Sequence, residues 1–175
     1  IGGIGLINKL NKEINIKIKK PGNLLIVIGK TIGHLEQSAF LHENFSIYDG
    51  SPPEVNLTNE KNNGLAVLKL INDKLVLSAH DVSSGGILTA LAEMSISSGL
   101  GLKIYKPQKL TNYFEYYFGE DQGRYLLEIS KNDLKKIENF LKKNNIFFEI
   151  IAEVQKDIFE LEKVFNIKTK DLYNY

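Results

Sequence analysis

The sequence predicts an α/β (α+β) domain, a layered sandwich of a mixed β-sheet covered by helices. Three observations carry that expectation. Short apolar runs alternate along the chain with segments of helical spacing, the pattern of strands and helices that share one core. No repeat and no internal linker divides them. A length of 175 residues, 43% apolar and 25% charged, suits one domain that buries roughly 70% of the surface its unfolded chain exposes.

Taken in order, residues 4–7 read as a short strand, followed by a polar stretch rich in Lys and Asn up to Pro21-Gly22. Leu24-Leu25-Ile26-Val27-Ile28, closed by Gly29, is the continuous apolar run of a strand buried on both faces. Residues 38–43 form a short helix, and Asp49-Gly50-Ser51-Pro52-Pro53 is a hard break. From Asn56, a cap, to about Asn72, the positions Leu57, Leu65, Leu68 and Ile71 fit helical spacing. A strand over residues 75–79 runs into His80-Asp81-Val82-Ser83-Ser84-Gly85-Gly86. The helix from Ile87 to about Ser98 is apolar on nearly every face and is expected to be buried. Residues 102–105 are a strand, residues 112–118 an aromatic-rich helix and residues 125–129 a strand. Ser130 and Asp133 open a helix striped by Leu134, Ile137 and Leu141. Strands over 146–154 and 158–161 follow, and Thr169 caps a final short helix.

Composition excludes several classes. Lys plus Arg is 22 against 21 acids, a net charge of +1, without the basic surplus of a nucleic-acid binder. The absence of cysteine removes disulfides, thiolate metal sites and cysteine nucleophiles. No apolar run approaches the roughly 18 residues of a membrane span, and no basic-then-apolar leader is present. The chain opens Ile1-Gly2-Gly3, and Met94 is its one methionine. We therefore expect a piece of a longer polypeptide, with residues 1–8 a linker strand from a preceding domain and residues 9–175 a single domain. Arg124 is the one arginine among the basic residues.

Three familiar motifs fail on chemistry. Gly29-Lys30-Thr31 resembles the end of a phosphate-binding loop, but Leu24 stands where the first glycine is required. His80-Asp81 lacks the further ligands of a zinc-type site, the other histidines being His34 and His42. Ser83, His80 and Asp81 are too close in sequence to form a triad, and no nucleophile elbow surrounds them.

Two segments remain as candidate ligand or phosphate sites. In the first, a strand feeds Gly85-Gly86 and a helix starts at once. Unpaired amides and a partial positive charge there suit an anion, with Ser83 and Ser84 as caps or donors. Asp81 is placed to hold magnesium or a ligand hydroxyl. The plainer alternative is that Asp81 and the serines cap, and the glycines let helix and sheet pack closely. The second segment is Gly119-Glu120-Asp121-Gln122-Gly123-Arg124, two acids, an amide and an arginine between glycines. Its arginine offers a planar fork for a phosphate or carboxylate, or else pairs with Glu120 or Asp121 inside a tight loop. The aromatic run Tyr113, Phe114, Tyr116, Tyr117, Phe118 has no interleaved basic residues and reads as packing against a core or partner surface.

Four stretches together resemble the C-terminal domain of the synthetase subunit of phosphoribosylformylglycinamidine synthase, of the aminoimidazole ribonucleotide synthetase superfamily. They are Ile1-Gly2-Gly3-Ile4-Gly5-Leu6-Ile7, Ser51-Pro52-Pro53-Glu54-Val55, the run from Ser78 to Met94, and Gly119 to Arg124. The likeness covers essentially the whole chain. It implies the aminoimidazole ribonucleotide synthetase C-terminal-like fold and an ATP-dependent C–N ligase of purine biosynthesis, cytoplasmic, with ATP and Mg2+ in the parent enzyme. It further implies preceding domains of the same subunit, a glutaminase subunit and a small accessory subunit as partners. The family's catalytic histidine and most ATP and magnesium contacts belong to larger domains that this chain lacks. No catalytic residue is therefore expected here, and the domain alone is expected to be inactive. The chain resembles the second of two pseudo-equivalent copies, so Asp81, Ser83, Ser84, Gly85, Gly86, Glu120, Asp121, Gln122 and Arg124 would belong to an auxiliary site. A non-catalytic half-site that organises the synthetase domains is the alternative. Glu36 departs from the family, where a glycine is usual, and Asp121 stands where serine is usual.

Overall fold

The computed structural model describes Leu6, residues 13–107 and residues 112–174. The strand expected over residues 4–7, and with it most of the linker, lies outside the described residues. Seven strands form one sheet in the order β2-β4-β1-β5-β3-β6-β7. They are β1 (Leu24–Ile28), β2 (Ser78–Asp81), β3 (Gly101–Ile104), β4 (Tyr125–Ile129), β5 (Phe148–Gln155), β6 (Ile158–Leu161) and β7 (Phe165–Lys168). All neighbours pair antiparallel except β3 with β6, which is parallel. The expected mixed sheet is therefore present.

Every residue of β1 is buried, because helices cover both faces of the sheet. Leu25 and Val27 enter one core with α3 (Gly86–Ser98) and α4 (Tyr113–Phe118). Leu24, Ile26 and Ile28 enter the other with α2 (Leu57–Asn72) and α5 (Leu134–Lys143). Alternation of side chains across the strand accounts for the division. Along β5 the register shifts, so that Leu25 opposes Ala152 while Ile26 opposes Ile150, leaving Ile151 as an extra residue. The helix α1 (Ala39–Phe45) lies outside both cores, with Ser38 as its cap. No helix among the described residues is long and apolar enough to cross a membrane.

Three sequence expectations need correction. In α2 the buried row is Asn63, Ala66, Val67 and Leu70, not the expected apolar row, for Leu57, Leu65 and Leu68 are 76%, 55% and 54% exposed. Both rows have helical spacing; the inner one packs Ala66, Val67 and Leu70 into a core, and its Asn63 Nδ2 donates to Gly123 O at 2.9 Å. The strand expected over 75–79 begins at Ser78. Leu75 and Val76 are buried but close the end of α2, where Leu75 N donates to Leu70 O at 3.0 Å. The chain ends in a 3-10 helix over Thr169–Asn174, preceded by β7, which the sequence reading passed over. Thr169 Oγ1 has no hydrogen-bond partner and so caps nothing.

The pairing places one group of loops together. Ile28 of β1 and Asp81 of β2 both lie opposite Tyr125 at the start of β4. The chain leaving β1, the chain leaving β2 and the chain entering β4 thus converge at one end of the sheet.

Candidate functional site

At that end the loops are joined by backbone amides and acidic side chains. Val82 N donates to Arg124 O at 3.0 Å, continuing the β2–β4 ladder by one bond. Asp121 reaches across to the loop after β1, where its Oδ2 accepts from Ile32 N and Gly33 N at 2.9 Å each and its Oδ1 from His34 N at 3.2 Å. Glu120 Oε1 accepts from Ala39 N at 2.8 Å and from Gly85 N at 2.8 Å. One carboxylate thus binds the first amide of α1 and the amide beside the start of α3. Amides at helix starts are natural anion partners, and here the anion is the protein's own.

Arg124 lies beneath these loops, 1% exposed. Its Nε donates to Asp121 O at 3.0 Å, one terminal nitrogen to Gly119 O at 2.6 Å and the other to Thr31 Oγ1 at 3.2 Å. The Asp121 carboxylate stands 3.7 Å from the guanidinium. Burial pushes the Arg124 proton affinity down, against the opposing pull of Asp121, Tyr116 and Glu120. Five fixed donors in one plane let arginine serve several acceptors at once.

Gly85 and Gly86 sit at the start of α3 with φ of +80° and +71°. A Cβ on Gly86 would fall 2.7 Å from Tyr117 O and 2.8 Å from Gly119 O, so this glycine permits the close approach of α3 to the end of α4. Ser83 and Ser84 are exposed, and no side chain caps α3. Ser83 contributes its carbonyl, which accepts from Gly86 N at 3.1 Å.

The outward-facing candidates are Asp81 and Gln122, both exposed. Asp81 Oδ1 lies 3.2 Å from His80 Nδ1, and the other ring nitrogen of His80 lies 2.8 Å from Glu93 Oε2. Among the described residues no group of three or more His, Asp or Glu side chains is arranged to hold a metal ion.

Beside Gln122 opens a cleft of about 400 Å³, whose walls include Gly29, Lys30, His34, Asn59 and Asn63. Sequence reading missed these residues as a group. Lys30 entered it as part of a rejected phosphate loop, and the asparagines only as part of the helix α2. Glu36 turns its carboxylate to Ser51, accepting from Ser51 N at 2.7 Å and from its hydroxyl at 3.1 Å. Those bonds hold its carboxyl below the usual range. His34 Nε2 lies 2.8 Å from Ser51 O, and Gln37 Nε2 donates to Tyr48 O. The segments 51–55, 78–94 and 119–124, distant in sequence, are therefore linked around one end of the sheet.

With this geometry in place, comparison with known proteins is informative. The family described as AIR synthase related protein, C-terminal domain, matches residues 20–162. The chain is 46% identical over 172 residues to phosphoribosylformylglycinamidine synthase subunit PurL of Pelagibacter ubique (strain HTCC1062), covering 98% of this chain and 24% of that protein. Two solved structures of T. maritima PurL share the fold. The one complexed with FGAR has a TM-score of 0.74 at 20% identity over 93% of this chain and 30% of its own. The one complexed with ATP has a TM-score of 0.71 at 19% identity over 93% and 27%. The chain spans about a quarter of the length of the curated relatives it matches.

Proposed function

Since this chain belongs to the AIR synthase related family, C-terminal domain, we propose that it works as that domain of a phosphoribosylformylglycinamidine synthase subunit. The observation that carries the reading is the match of 98% of the chain, at 46% identity, to a relative of that name. The reaction proposed for the whole enzyme turns the amide of formylglycinamide ribonucleotide into an amidine. An amide oxygen is a poor leaving group. Transfer of the ATP γ-phosphoryl to that oxygen releases ADP and makes it a phosphate ester. Ammonia then adds at the carbon, the C–O bond breaks, and inorganic phosphate leaves with the oxygen. Such transfers depend on positioning and on stabilising developing charge.

This chain would supply position rather than chemistry. Arg124, Asp121 and Glu120 fix the loops, while Asp81, Gln122, Ser83 and Ser84 face outward toward whatever adjoins them. Preceding domains of the same subunit, a glutaminase subunit delivering ammonia and a small accessory subunit are the proposed partners, in the cytoplasm. ATP, with Mg2+, would be held mainly outside this domain. A second reading, a structural half-site that organises the other domains, is favoured by one feature: Glu120 and Asp121 spend their carboxylates on internal amides.

The test is ATP-dependent amidine formation from formylglycinamide ribonucleotide and ammonia. We expect turnover from a polypeptide of the relatives' length that carries this chain, and none from the 175 residues alone. Turnover by the 175 residues overturns the reading, as does an inactive full-length polypeptide. Calorimetry with ADP and Mg2+ on full-length Asp81→Ala and Gln122→Ala separates the two readings, since unchanged affinity and stoichiometry in both variants select the structural half-site.

A further inference from the structure

Helix α1 buries none of its seven residues, although they include Phe40, Leu41 and Phe45. So short a helix has no stability of its own and depends on packing. Its packing is a ladder of rings. Phe40 stacks on Phe118 at 4.6 Å and on Phe114 at 5.3 Å, and Phe45 meets Phe40 edge-on at 5.6 Å. Phe114 and Phe118, one turn apart on α4, stand 6.4 Å from each other.

Of this ladder only Phe118 packs against the core. Tyr116 and Tyr117 already fill the inner side of α4, hydrogen-bonding Glu149 and the Tyr105 carbonyl. The outer rings are left in water, Phe45 59% and Phe114 57% exposed, with Ile47 and Tyr48 beside them. Each aromatic side chain carries roughly 150–250 Å² of buriable surface, and contiguous apolar patches of that kind on a lone domain mark an interaction site. The patch also adjoins the candidate site. Gly33 packs so close to α4 that a Cβ there would lie 2.7 Å from Glu115 Cβ, and the Glu120 carboxylate anchors the first turn of α1.

We propose that this aromatic ladder is the surface on which a neighbouring domain of the same polypeptide docks, through an apolar face of its own. The occupant follows from length: the chain amounts to 24% of its 46%-identical relative, so about three-quarters of such a polypeptide is available to cover the rings. The docked domain borders the loops at 33–36 and 119–124. This inference rests on reading the chain as one domain of a longer synthase.

The chain contains no cysteine, so introduced cysteines report on single positions. In the full-length polypeptide, Phe45→Cys, Ile47→Cys and Phe114→Cys are compared with Leu68→Cys and Val164→Cys, positions 54% and 56% exposed here. Iodoacetamide labelling is read by mass spectrometry of the relevant peptides. Labelling at 45, 47 and 114 is expected to be at least tenfold slower than at 68 and 164. Ile47→Cys, which leaves the rings in place, decides the matter if either phenylalanine variant loosens α1. Equal rates overturn the proposal, as does protection that vanishes on dilution, which would assign the face to a second copy. Amidine formation by the unmodified polypeptide is measured alongside. Turnover with unprotected positions removes the docking surface alone, whereas protection without turnover supports the surface and removes the synthase reading.

Discussion

Replacing Glu128 should unfasten the chain's early segment from the sheet. Glu128 sits in β4 with no exposed surface, between Leu127 and Ile129 of the core. It accepts from Lys19 N at 3.0 Å to each oxygen, Lys20 N at 3.2 Å, Asn23 Nδ2 at 2.8 Å and Ser78 Oγ at 2.9 Å. Four donors converge on one carboxylate, which explains how an acid stands inside a strand flanked by apolar residues. The same segment buries Ile18 and offers Asn15 O to Ala79 N at 3.1 Å, alongside β2. Glu128→Gln keeps the shape but gives up the charge and turns an N–H₂ toward these partners, of which the Ser78 hydroxyl can rotate to accept. With the N–H₂ beside Ser78, the bonds from Lys19 N, Lys20 N and Asn23 Nδ2 to the other oxygen weaken from charge-assisted to neutral. At roughly 1 kcal/mol each, the loss is about 2–3 kcal/mol. Glu128→Ala strands all four and adds a cavity, for a loss of about 5 kcal/mol or more, comparable with the whole stability of an ordinary domain. Ser78→Ala removes one donor and leaves the carboxylate otherwise satisfied, so it costs about 1 kcal/mol. Urea unfolding gives the three values, and hydrogen exchange at the Lys19 and Lys20 amides locates the change. A Glu128→Gln protein within 0.5 kcal/mol of the parent (a loss well under the roughly 1 kcal/mol of one net hydrogen bond), with those amides still protected, would refute the reasoning.

Three further outcomes are expected. Arg124→Lys replaces a fork by a point charge, leaving acceptors among Gly119 O, Thr31 Oγ1 and Asp121 O unmet; chemical denaturation should show a loss of about 2–4 kcal/mol, and a loss below about 1 kcal/mol would make Arg124 a simple charge. Gly86→Ala should destabilise more than Gly99→Ala, since both have φ near +70° but only Gly86 faces atoms within 3 Å of an added Cβ; the comparison of melting temperatures isolates the steric part, and equal shifts would deny the close packing of α3 on α4. Glu36 titrates below its ordinary 4.5 because Ser51 donates twice to its charged form; its contribution is present above 4.5 and lost as pH falls through the lowered folded value, so Glu36→Gln and the parent should converge in stability in acid, with carboxyl NMR titration as the direct check.

Much of the fold is legible in the sequence because local pattern and tertiary environment agree. The apolar run at 24–28 can only be a strand covered on both faces, and Asn56, read as a cap, accepts from Asn59 N in the first turn of α2. Helix α2 is less transparent. Both of its candidate rows have helical spacing, and the one that turns inward meets partners distant in sequence, the core of the sheet and Gly123, sixty residues away. The strand β7 is four residues long and only half-buried, too little apolar contrast to register. At the site, the sequence singled out loops that the structure brings together, but not the direction of their side chains. Acid next to arginine between glycines fits a ligand-facing turn and an internally bonded one equally well. Only the position of the amides at 32–34, 39 and 85 decides that Glu120 and Asp121 turn inward.

That inward turn has a consequence for how the domain could serve a larger enzyme. Loops that need a bound phosphate to hold their amides would be disordered without it, and ligand binding would have to supply the ordering energy. Here Asp121 fills three amides of one loop, Glu120 joins the starts of two helices, and Glu36 holds Ser51. The rim is thereby set before any ligand arrives, by charges that would also repel a phosphate placed on the same amides. On the proposed reading, then, the anion-binding groups must come mainly from across the boundary. This domain's share is a fixed wall in which Gln122, Lys30 and the α2 asparagines line one cleft, with Asp81 exposed at the end of β2. Such a wall is useful only when the adjoining domain is held against it. The exposed phenylalanines of α1 and α4, next to the same loops, are where that hold is expected.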